Sequence, residues 1–302
     1  MENSFGSMHY NAIGPYLQKQ FGCRVAKLAI DGGFTCPNRD GAKGFGGCIY
    51  CSADGGGHFA SNIPDQMKLL SGKWPDSKYI AYFQSYSNTY APVDMLRQKY
   101  EEALAFPDVA GLAIATRPDC LHVEVIELLS ELSQRTYLWV ELGLQSIKDA
   151  TALRINRGYP LTVFDDAMDR LNRAGIRTVV HLIFGLPGES HQDMMGSVRY
   201  VADIKPFGVK FHQLYFMEGT RIVQLYPECL PGMEMGEYIS LVADSIEILP
   251  QEITIHRIAG DPPAKGLIAP RWSLDKRSVL NAIQMEFKRR GSFQGSRTDI
   301  YQ

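Results

Sequence analysis

The chain has 302 residues, a formal net charge of −2, and 45% hydrophobic and 21% charged residues, which are ordinary values for a globular protein. They exclude intrinsic disorder, collagen and a coiled coil as the main architecture. No apolar stretch approaches the ~20 residues of a membrane-spanning helix, and the first residues lack the blocks of a signal peptide, so we expect a cytoplasmic protein.

Short apolar runs alternate with amphipathic helical patterns along the chain. The runs predict strands at residues 25–31, 79–84, 111–116, 137–144, 177–184 and 208–212. Between them, apolar residues such as Val125, Leu128 and Leu132 recur at helical spacing. One helix is predicted to start with a capping box at 162–165 and to end at Gly175. Repeated strand–helix units of this kind predict a parallel sheet.

The pattern changes on both sides of region 25–215. Residues 1–24 form a predicted N-terminal extension, and residues 216–302 form a predicted C-terminal appendage. The appendage carries a predicted helix at 237–249, a strand at 253–258 and a basic helix at 275–290. From residue 270 onwards, seven Lys or Arg face three Asp or Glu, a net charge of +4. This excess points to nucleic acid, although a solvated amphipathic helix has the same composition.

Three of the six cysteines lie close together between the first two predicted strands. Cys36, Cys48 and Cys51 form the pattern C-x11-C-x2-C. Three thiolates can bind an iron–sulfur cluster and leave one iron open, as a catalytic site requires. A structural zinc site needs a fourth ligand, for which Cys23 and His58 are candidates. In a parallel α/β barrel the loops that follow the strands carry the active site.

Several segments spread over about residues 9–290 resemble one family. They read KLAIDGGFTCPNRDG, FQSYSNTYAP, ATRPDC, ELGLQS, INRGY, HLIFGLPGES and RIAGDPPAKGLIAPRWSLDK. With the cysteine loop, they resemble the YhcC/YtqA-like family of the radical S-adenosylmethionine (radical SAM) superfamily. The LGLQS and NRG segments, and the His181 strand with its LP turn, are also similar to the radical SAM core of the elongator catalytic subunit, which modifies the wobble uridine of tRNA. The superfamily's usual C-x3-C-x2-C spacing is replaced here by the longer spacing of those branches.

The resemblance implies an α/β fold, a partial (β/α)6 TIM-like barrel of the radical SAM type. It implies that Cys36, Cys48 and Cys51 ligate a [4Fe–4S] cluster, and that S-adenosyl-L-methionine chelates the open iron. An electron from a flavodoxin- or ferredoxin-type donor then cleaves S-adenosylmethionine, and the resulting 5′-deoxyadenosyl radical removes hydrogen from the substrate. The cofactor carries this chemistry, while the protein supplies position and excludes water.

The resemblance also assigns positions to S-adenosylmethionine. Tyr50, directly before the last cysteine, is expected near the adenine. The residues after the second strand are expected to meet the methionine amine, where the superfamily often has Gly-Gly-Glu. This chain has Gln84, Ser85 and Asn88 there instead, so their side chains or backbone carbonyls would take that part.

Polar residues at the ends of later strands are further candidates. Glu141 and Gln145 end the fourth strand, and a buried carboxylate needs a partner, either the ribose hydroxyls or a structural ion pair. Arg157 is expected to meet the methionine carboxylate. The turn at Phe184 and Gly185 is expected to present backbone to the adenine edge, since glycine allows close approach.

Four residues have roles that the sequence leaves open. Cys120 follows Arg-Pro-Asp at a strand end, and His212 ends the sixth strand, so both are candidates for the catalytic step. His181 and Cys229 have a functional interpretation too, but a core histidine and an apolar filler are the alternatives. The same structural alternatives apply to Cys120 and His212.

The leading functional hypothesis is a radical SAM enzyme that acts on RNA, with tRNA as the expected partner and no membrane involved. The elongator-like segments and the basic C-terminal helix favour it. A second hypothesis keeps the chemistry but places it on a small metabolite or a protein side chain. A third is a non-catalytic iron–sulfur or zinc protein, which would not bind S-adenosylmethionine.

Overall fold

The computed structural model of the chain describes residues 3–74 and 76–298. The strands are β1 (Val25–Ile30), β2 (Lys78–Phe83), β3 (Val109–Thr116), β4 (Tyr137–Gln145), β5 (Arg177–Phe184), β6 (Gly208–Gln213), β7 (Phe216–Met217), β8 (Thr254–Arg257) and β9 (Leu267–Ala269). The helices are α1 (Ile13–Phe21), α2 (Ile63–Ser71), α3 (Val93–Leu104), α4 (Val123–Arg135), α5 (Asp149–Arg154), α6 (Leu161–Arg173), α7 (His191–Ile204), α8 (Arg221–Leu225), α9 (Met235–Ile248) and α10 (Lys276–Arg290).

Seven strands form one parallel sheet in the order β1-β2-β3-β4-β5-β6-β8, curled into a half-barrel with helices outside. The predicted fold class, an α/β TIM-like partial barrel, is confirmed. All six predicted strands are present, because each is an apolar run, and most of them are buried on both faces, whereas β1 is fully buried on one face only. A seventh strand, β8, comes from the predicted appendage and pairs with β6, so the sheet is larger than six strands.

The outer face of the sheet packs against the amphipathic helices. In α4 the buried residues are Val125, Leu128, Leu129 and Leu132, which is the stripe expected from helical spacing. The predicted capping box at 162–165 is wrong, because α6 begins one residue earlier and Pro160 is its N-cap without a side-chain hydrogen bond. The helix ends before Gly175 as predicted, with the glycine in the left-handed conformation.

Apolar residues close the amino end of the half-barrel. Leu17 of α1 packs into a buried cluster with Ile80, Trp139 and Val179 from the inner face of the sheet. Aromatic rings of α1, β4 and the segment before β6 surround this cluster. The interior can therefore be reached from the carboxyl ends of the strands, where the connecting loops lie.

The two ends of the chain meet beside β8. The backbone nitrogen of Ile255 donates to the carbonyl oxygen of Asn11 at 2.7 Å, and that of Gln294 donates to the carbonyl oxygen of His9 at 2.8 Å. The buried Gln294 amide also donates to the carbonyl oxygen of Ile253 at 2.8 Å. Strand β8 thus has β6 on one side and the N-terminal segment on the other, and the C-terminal segment bonds to the residue before the strand and to the N-terminal segment.

The appendage contains α9 and the basic helix α10, which pack on each other. Both helices were predicted from sequence within two residues of their observed bounds. The proposed domain boundaries at 24 and 215 stay predictions, and hydrogen bonds cross both of them. None of the helices that the structure describes has the length and apolar character needed to span a membrane.

Candidate active site

The carboxyl ends of the strands surround a cavity of about 540 Å³. Its wall combines the cysteine loop after β1 with inward-facing residues of the other strands. Cys36, Cys48 and Cys51 all line it. This volume lies in the usual range for small-molecule and cofactor sites, and the location is the active-site face of α/β barrels.

The cysteine loop is held in place by hydrogen bonds to the segment that follows α5. The Asn38 side-chain amide donates to the carbonyl oxygen of Asn156 at 2.6 Å. The Asn156 amide in turn donates to the carbonyl oxygen of Gly47 at 2.8 Å. The backbone nitrogen of Ile49 donates to the carbonyl oxygen of Ile155 at 3.0 Å. These bonds fix the loop across the mouth of the barrel.

Burial controls the protonation of two of the cysteines. It raises the pKa of the Cys48 thiol to about 11, with Cys51 adding to the shift and Arg117 opposing it. Burial also raises the pKa of Cys51, and the nearby Arg39 guanidinium opposes that shift. Such thiols become thiolates when a metal replaces their protons. The donor set therefore suits a metal centre that brings its own positive charge.

The described residues do not provide a complete ligand set for a single zinc ion. Within residues 3–74 and 76–298, no group of three or more His, Cys, Asp or Glu side chains could hold a single metal ion. His58, a candidate fourth zinc ligand, forms an ion pair with Asp54, and Cys23 lies at the opposite end of β1. In a cluster each cysteine binds a different iron, so the thiols need to share a cavity but not one ion.

A buried charged network lies deeper in the same cavity. The carboxylate of Glu141 on β4 accepts hydrogen bonds from Lys210 on β6, from His181 on β5 at 2.8 Å and from the Trp139 indole at 2.9 Å. The ammonium group of Lys27 on β1 lies 3.9 Å from it. Glu141 and Lys210 are buried, so this is an interior ion pair of the kind that needs several partners.

The network sets the protonation of its members. Burial would raise the pKa of Glu141, but Lys210, His181 and Lys27 together hold it well below its usual value. Burial lowers the pKa of Lys210 well below its usual value, although Glu141 opposes that shift. Burial and Lys210 lower the pKa of His181 to about 4, so this imidazole is neutral near pH 7.

Some of the sequence-predicted residues meet in the cavity. Those that line it are Tyr50, Gln84, Glu141, Gln145, His181 and His212. The Gln84 amide donates to the carbonyl oxygen of Gly56 at 2.7 Å, which ties β2 to the cysteine loop. Gln145 has a left-handed backbone, and the Tyr159 hydroxyl lies 3.5 Å from its Oε1 atom. The contacts of Glu141 are those of a buried structural ion pair, one of the two alternatives stated above. Its contact with the ribose hydroxyls stays a prediction.

The other predicted residues are not among those that line the cavity. They are Ser85, Asn88, Cys120, Arg157, Phe184, Gly185 and Cys229. The Asn88 amide donates to the carbonyl oxygens of Phe83 and Ala115 and so joins the ends of β2 and β3. The Arg157 guanidinium donates to the carbonyl oxygens of Leu144, Ser146 and Tyr159.

Two further residues of that group, Phe184 and Cys120, are buried in the protein interior. Phe184 stacks on Phe211 in the core. Burial raises the pKa of the Cys120 thiol to about 12, which favours its neutral form. The predicted roles of these residues toward the cofactor stay predictions, and any such role would use their backbone or the residues that they position.

Several cavity residues were missed by the sequence reasoning. They are Lys27, Arg39, Tyr82, Lys210, His256 and Arg257. The signal for Lys27 and Lys210 was available, since each is a charged residue inside an apolar strand, as Glu141 is. The signal for Arg39 in the cysteine loop and for Arg257 at a strand end was weaker, because arginines at such places are common on protein surfaces.

Comparisons with known proteins agree with this architecture. The profile of the radical SAM superfamily matches residues 36–201, and that of the Radical_SAM C-terminal domain matches residues 206–289. The uncharacterized protein YtqA of Bacillus subtilis is 46% identical over 295 residues, covering 95% of this chain and 92% of that protein. The tRNA uridine(34) acetyltransferase of Dehalococcoides mccartyi is 30% identical over 159 residues, covering 51% of this chain and 34% of that protein.

A solved structure shares the fold. The archaeal Elp3 of Methanocaldococcus infernus, with its N-terminus deleted, superposes with a TM-score of 0.68 at 18% identity. The match covers 89% of this chain and 64% of that chain. The fold is thus the partial barrel that this structure also has. The chain belongs to the radical SAM superfamily, which implies a [4Fe–4S] cluster and S-adenosylmethionine as cofactors.

Proposed function

We propose that Cys36, Cys48 and Cys51 hold a [4Fe–4S] cluster at the mouth of the barrel and that the cavity beside them binds S-adenosylmethionine. The observation that carries the proposal is that all three cysteines line one cavity with the buried polar network. When bound, these cofactors supply a radical that removes a hydrogen atom from a substrate. A flavodoxin- or ferredoxin-type protein is the proposed electron donor.

The chain's own residues position and shield this chemistry. Asn38 and Asn156 fix the cysteine loop through the hydrogen bonds described above. Arg39 places a positive charge beside Cys51, which favours the thiolate form that binds iron. We assign Tyr50, Gln84 and Gln145 to the cofactor, because they line the cavity. The apolar cluster around Leu17 excludes water from the amino end of the barrel.

As substrate we propose tRNA. The support is the partial similarity to tRNA uridine(34) acetyltransferases, which covers about half of this chain. The basic helix α10 gives less support than its composition suggests. Lys276 pairs with Asp261, Arg289 with Glu286, and Arg290 with Asp244. A small metabolite is the competing substrate, favoured by a cavity of small-molecule size and by the partial pairing of charges on this helix.

The cofactor proposal is tested by anaerobic reconstitution with iron and sulfide, followed by dithionite and S-adenosylmethionine. The expected product is 5′-deoxyadenosine, with cluster absorbance near 400 nm as a second readout. The variants Cys36→Ala, Cys48→Ala and Cys51→Ala should lose both signals. Cys23→Ala, outside the cavity, is the matched control and should keep both. A loaded wild type that binds no S-adenosylmethionine would refute the proposal.

The tRNA proposal is tested by binding of bulk tRNA to the loaded enzyme at several salt concentrations. Binding to phosphates weakens as salt rises, roughly tenfold or more between 50 and 200 mM for several contacts. Affinity that does not change with salt would refute RNA as the substrate. In that case, product analysis with labelled S-adenosylmethionine and a metabolite extract would follow the competing hypothesis.

A further inference from the structure

One wall of the cavity presents buried polar atoms that form no hydrogen bond of ordinary geometry with any residue that the structure describes. Gln213 is 2% exposed, lines the cavity, and its Nε2 atom makes no hydrogen bond. The buried Nε2 atom of His212 is also without a partner. The hydroxyl of Tyr215 lies beside Gln213 and lacks a partner of ordinary geometry. Buried polar groups are normally satisfied, so these atoms indicate a ligand.

Arg257 adds a positive charge to this wall. It ends β8, lines the cavity, and forms no hydrogen bond or ion pair with any residue that the structure describes. Its positive charge lowers the pKa of Lys27, His212 and Tyr215, so Arg257 lies near the unpartnered atoms of His212 and Tyr215. An arginine in a cavity without a carboxylate partner is poised to receive one, or a phosphate, from a ligand.

The balance of charge on this wall is positive. Lys27, Lys210 and Arg257 line it, and Glu141 is the carboxylate among them. Asp261 also lines the cavity, but it is already paired with Lys276. Burial lowers the pKa of Lys27, Glu141 opposes that shift, and the charge of Arg257 adds to it. Mutual repulsion of this kind is relieved when an anion binds between the cations.

This wall is distinct from the surroundings of the cysteines. The cations that act on Cys48 and Cys51 are Arg117 and Arg39, respectively. Arg117 is paired with Asp119, and Arg39 donates to the carbonyl oxygen of Cys51. Arg117 and Arg39 therefore already have partners, whereas Arg257 has none among the described residues.

We infer that Arg257, Gln213 and His212 form an anion subsite that binds a carboxylate or phosphate group of the substrate. The inference rests on the proposed function, because it assigns the cysteine side of the cavity to S-adenosylmethionine. The substrate is then a molecule that carries an anionic group. With that group bound at the subsite, the remainder of the molecule extends toward the cysteine side of the cavity. The phosphate case fits a nucleotide, and the carboxylate case fits an organic acid.

The subsite is tested with inorganic phosphate as the probe. Cluster-loaded enzyme with saturating S-adenosylmethionine is titrated into phosphate, and the 31P linewidth reports binding at constant ionic strength set with chloride. A parallel titration uses 13C-labelled acetate. Equilibrium dialysis measures the binding of S-adenosylmethionine to every variant. The variants are Arg257→Gln, Arg257→Lys and Gln213→Glu, with the exposed Arg173→Gln as the matched control.

The expected result is saturable binding of phosphate or acetate to the wild type and to Arg173→Gln. Arg257→Gln should weaken it about tenfold or more, the loss expected for a charge-assisted hydrogen bond. Arg257→Lys should fall between them, and Gln213→Glu should repel the probe by its added charge. Stronger binding of phosphate than of acetate would identify a phosphate-bearing substrate, and the reverse an organic acid.

Three results would overturn the inference. The first is that neither probe binds better than chloride. The second is that Arg257→Gln, with normal iron content and circular dichroism, binds the probe as the wild type does. The third is that Arg257→Gln loses S-adenosylmethionine as well, which would assign the arginine to the cofactor. Failure of the proposed function itself looks different, because the wild type would then bind no S-adenosylmethionine.

Discussion

Replacing the buried carboxylate of Glu141 should be costly. The side chain is fully buried, and the Lys210 ammonium on it is 2% exposed. Glu141→Gln keeps the shape and the acceptor for the Trp139 indole, but it leaves Lys210 without a counter-ion. Removing one partner of a buried ion pair costs about 3–5 kcal/mol. Because burial already lowers the pKa of Lys210, this lysine can release its proton, so we expect about 3 kcal/mol.

The partner variant tests whether the cost comes from the pair itself. Lys210→Met should also destabilise the protein, since it removes the strongest stabiliser of the buried carboxylate. The double variant Glu141→Gln/Lys210→Met should be more stable than the sum of the single losses by about 2 kcal/mol. A domain with about 5–15 kcal/mol of stability tolerates each change and remains folded.

Urea unfolding of the reduced, metal-free protein at pH 7.5, followed by circular dichroism, measures these losses. The folded pKa of Glu141 is below its unfolded value near 4.3, so its contribution is full at this pH and is lost only as the pH falls through the folded value. A loss below 1 kcal/mol for Glu141→Gln, or strictly additive single losses, would refute this account of the network.

Three further predictions follow from individual contacts. The folded pKa of His181 is about 4, so the unfolded chain binds more protons between pH 4 and 6.5, and stability should fall as pH drops through this range, less steeply in His181→Gln. Gly57→Ala would place its Cβ 1.8 Å from the Ser85 hydroxyl, so iron content after reconstitution should drop, whereas Gly72→Ala meets nothing within 4 Å and should load normally. Asn156→Gly keeps the left-handed backbone but removes the bond to the cysteine loop, so unfolding should cost about 1 kcal/mol less and the cluster should be lost faster to a chelator. Equal loss rates in the variant and the wild type would show that this bond does not hold the loop.

The parts of the fold that sequence predicted are those with a local signal. The six strands are runs of apolar residues, most of them buried on both faces of the parallel sheet, so their composition identifies them. The pairing of β8 with β6 joins distant parts of the chain and has no local signal. Proline at position 160 takes the N-cap of α6, because the extended residue before the helix suits it better than a helical position would.

The site was predicted unevenly for a related reason. The cysteine pattern identified the metal-binding loop, and strand-end polarity identified Gln84, Gln145 and His212 as cavity residues. Whether a strand-end residue points into the barrel depends on the local backbone. A bulge at residues 143–145 shifts the register at the end of β4, and the Arg157 side chain fills the space behind it with bonds to carbonyl oxygens. Such irregularities are decided by tertiary packing.

The hydrogen bonds between the two terminal segments and β8 have a consequence for truncation or extension of the chain. Asn11 and Gln294, nearly the whole sequence apart, hold the strand whose last residue is Arg257. Proteolysis near either terminus would therefore disturb β8 and the cavity wall at Arg257, although neither terminal segment touches the cysteines. A fragment of residues 25–215 would lack both β8 and the terminal segments that bond to it. In the sequence the two terminal segments are separate, but in the structure they form one hydrogen-bonded support for β8.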